Sequence, residues 1–335
     1  MQSHLFGRMP DGTPVHAFTL RSATGLTATI IQYGGRLAAL GVPTATGERN
    51  VTLGFDRLDP YLSDVAHLGA LTGRYANRIA RGRFALDGRT YELPLNNGRN
   101  TLHGGPGGFG SLVWTAEPDG DALLLSLHSP DGDQGFPGAL DVRVRYRLDG
   151  DALLIEYAAE CQAATVLNLT SHAYFNLAGA GTVMDHVLEI PADRFTPVDA
   201  DLIPTGELRP VAGTPLDFRA PACIGAHIDD AAAQLRLAGG YDHCWVLADA
   251  PRATPARAAR LSAGGIAMEV LTTEPGVQFY SGNFLAGAPF AWRTGLCLET
   301  QHFADSPNRP AFPSTVLRPG MAFASRTEFR FSPTA

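Results

Sequence analysis

The chain is 335 residues long, 45% hydrophobic and 18% charged, and its net charge of −7 with a pI near 5.8 argues against nucleic acid or an anionic membrane as the main partner. All 26 basic residues are arginine, which excludes Schiff-base chemistry, pyridoxal-phosphate attachment and a P-loop, since each needs a lysine amine. Glycine (37) and proline (24) are abundant, and that many turn formers favours many short strands over long helices.

In chain order, the opening residues MQSHLFGRMP hold no apolar segment of signal-peptide length. No apolar run approaches a membrane span, so a cytoplasmic protein is expected. TATIIQY and NVTLGF are strand candidates, and DRLDPYLSD suits a single helical turn. RFALDGRTYELP (83–94) folds back at Asp87-Gly88, and ALLLSLH follows. Then comes the clearest alternation: Val142, Val144, Tyr146 and Leu148 alternate with Arg143, Arg145 and Arg147. Asp149-Gly150 and a second apolar run, ALLIEYAAE, complete a hairpin with one wet face. ATVLNLT, HVLEI, CWVLAD, AMEVLTT and TEFRF continue the pattern. ACIGAHIDDAAAQLRL (222–237) has room for a short helix ended by Gly239-Gly240, and DAPRATPARAAR (249–260) reads as a loop or hairpin connection. With no repeat and no shift in composition, residues 1–335 are predicted to form one large, mostly antiparallel all-β domain with few short helices. Cys161, Cys223, Cys244 and Cys297 have no paired spacing and read as small buried apolar residues in a reducing compartment.

Several motifs resemble cofactor sites without their context. GPGGFG (105–110) matches a dinucleotide fingerprint but leads into strand-like SLVWTAE, where a helix N-terminus is needed. SPDGDQGFPG (129–138) lacks the third acidic ligand and the closing glutamate of a calcium loop. The histidines show no zinc spacing, and there is no G-x-S-x-G elbow. No metal and no cofactor is expected.

Six polar segments share one character. They offer Asn77 and Arg78 in GRYANRIARG, His103 in NTLHGG, and His172, Tyr174 and Asn176 on one face of NLTSHAYFNLAG. They also offer Asp242 in GGYDHCWVL, Gln278 in EPGVQFYSGN and Glu299 in LCLETQHFADSPN. Glu299 lies in what reads as a buried strand, where a carboxylate either has partners or titrates away from its usual range. It is a candidate general base or a structural glutamate tied to an arginine. Each other residue taken alone has a structural reading too: a satisfied core histidine, a turn aspartate, an edge amide. Together they supply a base, imidazoles, a guanidinium and neutral amides, an inventory suited to a neutral polyhydroxylated ligand.

The blocks GRYANRIARG, NTLHGG, GDQGFPG, TSHAYFNLAG, GGYDHCW, EPGVQFYSGN and CLETQHFADSPN resemble, in order, the signature segments of the aldose 1-epimerase (galactose mutarotase) family, from about residue 15 to the C-terminus. The resemblance implies a large β-sandwich of the galactose mutarotase type with a sugar cleft on one face. It implies Glu299 as general base and His172 as general acid, with Asn77, Arg78, His103, Asp242 and Gln278 positioning a small-molecule aldose beside Tyr174. Which of His172 and His103 serves the ring oxygen stays open. Gln134 stands where the family often carries an acid, and Ala304 where proline is common. A hexose-6-phosphate 1-epimerase, a catalytically silent sugar-binding protein and a two-carboxylate glycosidase are the rival readings. A monomer or weak homodimer is expected.

Overall fold

A computed structural model of the chain describes residues 1–287 and 289–334. Three antiparallel sheets carry most of its strands. An N-terminal meander runs in sequence order through Gln2–Arg8, Pro14–Arg21, Thr27–Ile31, Arg36–Thr44 and Gly47–Asn50. A nine-stranded sheet is ordered Thr115–Asp119, Ala122–Ser129, Leu140–Asp149, Ala152–Cys161, Phe323–Pro333, Ile266–Thr272, Ala256–Ala263, Val187–Glu189 and Ala222–Cys223. The third sheet has six strands: Tyr174–Phe175, Leu296–Gln301, Gly276–Tyr280, Asp242–Val246, Arg194–Thr196 and Arg209–Pro210. The C-terminal strand Phe323–Pro333 is thus central, paired with Ala152–Cys161 on one side and Ile266–Thr272 on the other.

Alternation decides which side of each strand is dry. Val142, Val144, Tyr146 and Leu148 are buried, while Asp141 and Arg143 are exposed and Arg145 and Arg147 partly so. In the six-stranded sheet Phe195, Trp245, Val277, Phe279, Leu296 and Leu298 point into the core. They join apolar residues of the other two sheets in one contiguous cluster, which makes the architecture a sandwich. Burying that much apolar area is the main drive for the fold, at about 25 cal/mol per Å² removed from water. The opposite side of the same strands carries Asp242, Gln278 and Glu299. Side-chain period two therefore separates core from site along single strands.

Four readings from the sequence are corrected. NLTSHAYFNLAG is not one strand: Thr170–Ser171 pairs with Leu71–Thr72, and Tyr174–Phe175 pairs with Leu296–Gln301. The segment changes partner at His172-Ala173, so His172 sits at a switch between sheets, and Asn176 is turned to the carbonyls of Ala180, Gly181 and Thr294. NVTLGF contributes only the last residue of a strand, Asn50, and a bridge at Thr52, because Val51 and Leu53 donate to two different segments, at Leu40 and Tyr174. Residues 222–237 begin as an edge strand, Ala222–Cys223, and reach α-helix only at Ala233–Ala238, closed by Gly239 at φ 67°. Pairing of that edge with Val187–Glu189 overrides the local helix propensity. Cys223, placed on this edge, is exposed; the other three cysteines are buried.

Candidate active site

The polar face of the six-stranded sheet forms the floor of a cleft of about 470 Å³. His172 enters from the switch point and Glu299 from the middle of Leu296–Gln301. Asp242 opens the strand Asp242–Val246, while Arg78 comes from the strand Arg78–Ile79, Asn77 just precedes it, and His103 just follows its partner Thr101–Leu102. Of the nine residues singled out, seven line the cleft, and Asn176 lies away from it. Gln278 stands behind it, its Nε2 donating to Asp242 Oδ1 at 2.6 Å.

Asn77 and His103 fix one another. Both take left-handed backbone, at φ 65° and 51°, which asparagine tolerates better than most residues. The Asn77 N–H donates to His103 Nδ1 at 3.1 Å and the His103 N–H donates to Asn77 O at 3.1 Å. An Nδ1 that accepts assigns the ring proton to Nε2, so His103 offers the cleft a donor. Arg78 donates through Nε to Asn97 Oδ1 at 3.1 Å, and its Nη1 lies 3.7 Å from Asp242 Oδ2. The chain Asn97–Arg78–Asp242–Gln278 holds a guanidinium and a carboxylate in place while leaving Asp242 room for a ligand hydroxyl.

His172 Nε2 and Glu299 Oε1 stand 3.8 Å apart, and both side chains are almost fully buried. Glu299 Oε2 is buried with no hydrogen-bond partner among the described residues, so an acceptor waits at the cleft floor. Burial pushes the Glu299 carboxyl well above its ordinary range; Asp242 adds to the rise and Arg78 opposes it. Burial likewise drives His172 down to about 3, with His67 the next contributor. His103 lies well below its ordinary value by burial first, then by His67 and His172. On its far side, His172 Nδ1 meets the Cys297 thiol at 3.5 Å. Burial first, then Glu299 and Asp242, keep that thiol protonated, and its contact with Nδ1 serves either tautomer of His172 while Nε2 faces Glu299.

The donor atoms of His103, His172 and Glu299 fall within 4.8 Å of one another, a spacing that invites a metal ion. His103 is unsuited to it: its lone pair is spent on Nδ1, toward the Asn77 N–H, and its Nε2 turns a hydrogen to the cleft.

The walls were partly missed in the sequence. Tyr174 donates its hydroxyl to Ala66 O at 2.9 Å and packs its ring against His172 at 5.1 Å, so it contributes shape before hydrogen bonding. Tyr280, Phe284, Leu202, Asn97 and His67 also line the cleft. Tyr280 was legible in principle, because it shares the strand face of Gln278; His67 and Leu202 sit in loops with no periodic signal. Gln134 stands outside the cleft, clasping the glycine loop by accepting the Gly107 N–H at 3.0 Å.

A β-sandwich whose dry face packs the core and whose wet face gathers two imidazoles and an unpartnered carboxylate defines a class of acid–base protein with a cleft for a neutral polar ligand. The family model for aldose 1-epimerase matches residues 16–330. A galactose mutarotase from Mus musculus is 43% identical across 98% of this chain and 97% of its own length. An aldose 1-epimerase from Escherichia coli (strain K12) is 41% identical across 96% of each chain. The crystal structure of galactose 1-epimerase from Lactobacillus acidophilus NCFM superposes with a TM-score of 0.88 at 28% identity, covering 100% of this chain and 99% of that one. The chain belongs to the aldose 1-epimerase family.

Proposed function

We propose that the protein is a mutarotase, an isomerase that interconverts the α and β anomers of free aldohexoses such as galactose and glucose, and that residues 1–335 act as one domain. The observation that carries the reading is the buried Glu299 carboxyl, its Oε2 unpartnered among the described residues and its Oε1 3.8 Å from His172 Nε2. Full-length relatives bearing mutarotase and aldose 1-epimerase names support it.

The chemistry needs two proton transfers. Glu299 takes the proton of the anomeric hydroxyl while His172 gives one to the ring oxygen; the C1–O5 bond breaks and the aldehyde forms. Rotation about C1–C2 and reclosure on the other carbonyl face, with both protons returned, yields the other anomer. Throughout, Glu299 and His172 share one proton in the closed-ring state. In the empty cleft that proton stays on the Glu299 carboxyl, since burial holds both groups uncharged; it passes to His172 as the sugar binds, and ring opening starts from this carboxylate–imidazolium pair. Afterwards the Glu299 carboxyl is protonated and the imidazole neutral. Burial disfavours the charged arrangement, so the same desolvation that shifts both groups favours transfer toward the open sugar. A positioned base and a positioned acid contribute roughly 10²–10⁴-fold each.

His103 donates through Nε2–H near the same oxygens, Asp242 and Arg78 hold ring hydroxyls, and Asn77 and Tyr174 shape the pocket. Gln278 acts through Asp242. A phosphorylated sugar fits less well, because the one arginine lining the cleft among the described residues, Arg78, is already engaged by Asp242 and Asn97. No helix of the described residues is long and apolar enough to cross a membrane.

The test is optical rotation of freshly dissolved α-galactose, α-glucose and α-glucose 6-phosphate with and without the protein. Acceleration with the free sugars supports the reading. Acceleration confined to the phosphate favours the phosphosugar rival, and binding without acceleration would make this a sugar-binding protein.

A further inference from the structure

The proposed chemistry uses two imidazoles, His172 to transfer a proton and His103 to donate a hydrogen bond, and the cleft holds a third. His67 lines it, with its ring centroid 4.8 Å from that of His103 and 5.9 Å from that of His172. Neither His67 ring nitrogen is hydrogen-bonded to any described residue, and neither is sealed from solvent. The loop is held on every side. Asp64 accepts the N–H groups of Ala66 and Leu68 at 2.9 and 2.7 Å and pairs with buried Arg36 at 2.7 Å. The Tyr174 hydroxyl donates to Ala66 O, the Ala70 N–H donates to His67 O at 3.0 Å, and the Gly69 N–H donates to His172 O at 3.0 Å. Those anchors keep His67 in left-handed backbone at φ 56°, a conformation a non-glycine side chain adopts only when its surroundings impose it.

We infer that His67 is a specificity-determining residue of this site, binding one hydroxyl of the aldose through an acceptor nitrogen that neither neighbouring histidine can offer. The inference rests on the aldose reading above. His103 presents an N–H and His172, as the acid, points its proton at the ring oxygen, so neither imidazole offers a lone pair to a hydroxyl of the closed sugar. A neutral His67 supplies that lone pair, and burial, which outweighs the attraction of Asp64, keeps the ring neutral by pushing it down to about 4. Its role is recognition. Proton transfer stays with the Glu299–His172 pair.

The experiment compares wild type with His67→Phe, which keeps the ring contact with His103 and removes both nitrogens. With the parent aldose, KM should rise about three- to tenfold, the effect of one hydrogen bond, while kcat changes less than about threefold. The assay is then repeated with monodeoxy analogues that remove each hydroxyl in turn. The penalty of His67→Phe should vanish for one analogue and persist for the others. An equal penalty on every analogue would mean a merely structural role, and no penalty on any would mean no contact; either overturns the inference. His67→Gly, which suits the left-handed backbone, carries the same comparison if the phenylalanine variant does not fold. A wild-type protein that accelerates no anomer exchange would overturn the aldose reading itself, and this inference with it.

Discussion

Replacing Glu299 with glutamine alters the chemistry of one atom and almost none of the volume. In the folded chain Glu299 is 2% exposed, with Oε2 unpartnered and Oε1 3.8 Å from His172 Nε2. Loss of a positioned base should lower kcat by about 10²–10⁴-fold, or roughly 3–5 kcal/mol of barrier. Stability should move the other way. The buried carboxyl keeps its proton above the ordinary value of 4.5, whereas the unfolded chain releases it there. The folded state therefore binds more protons, and stability is lost as pH rises from the unfolded value toward the folded one. The slope is up to about 1.4 kcal/mol per pH unit. Glutamine has no such proton, so the variant should melt close to wild type near the ordinary carboxyl value of 4.5 and increasingly above it as pH rises. Polarimetry reads the first effect and calorimetry across pH the second. Near-wild-type turnover would refute the base assignment. A Tm difference that does not grow with pH would refute the protonated, buried carboxyl.

Further outcomes follow from the same contacts. Because a second proton reaches His172 only near about 3, kcat should stay level well below the ordinary histidine value of 6.5; an acid limb at 6 to 7 in a still-folded protein would contradict this. Gln278→Leu removes the 2.6 Å donor to Asp242 and should raise KM about tenfold with a smaller change in kcat, and steady-state kinetics showing the reverse split would place Gln278 in the chemistry instead. Arg36→Met strips the buried Asp64 of its 2.7 Å partner and should cost about 3–5 kcal/mol of stability, a loss visible as a depressed Tm; an unchanged melt would mean that the pair does not hold the His67 loop.

Much of the site could be read from the chain because strand periodicity and residue chemistry coincide there. Cys297 and Glu299 alternate with Leu296, Leu298 and Thr300, and the pairing Gln278↔Glu299 places two polar blocks side by side. Hairpins at Asp87-Gly88 and Asp149-Gly150 were equally legible, since left-handed turn residues leave a local signature. Where the strand reading failed, at His172-Ala173 and Thr52, the backbone takes hydrogen bonds from segments distant in sequence.

By itself, then, the sequence determined the fold class, the family resemblance and the set of acid–base groups, because these depend on side-chain type and on alternation along a single strand. Only the tertiary structure decided their electrical state and their company. It put Glu299 and His172 in a dry pocket where each is pushed toward its uncharged form, turned the His103 lone pair away from the cleft, and brought His67 against both histidines from a loop. Desolvation and tautomer depend on what surrounds a residue from every direction, and that surrounding is assembled by pairings the linear chain does not display.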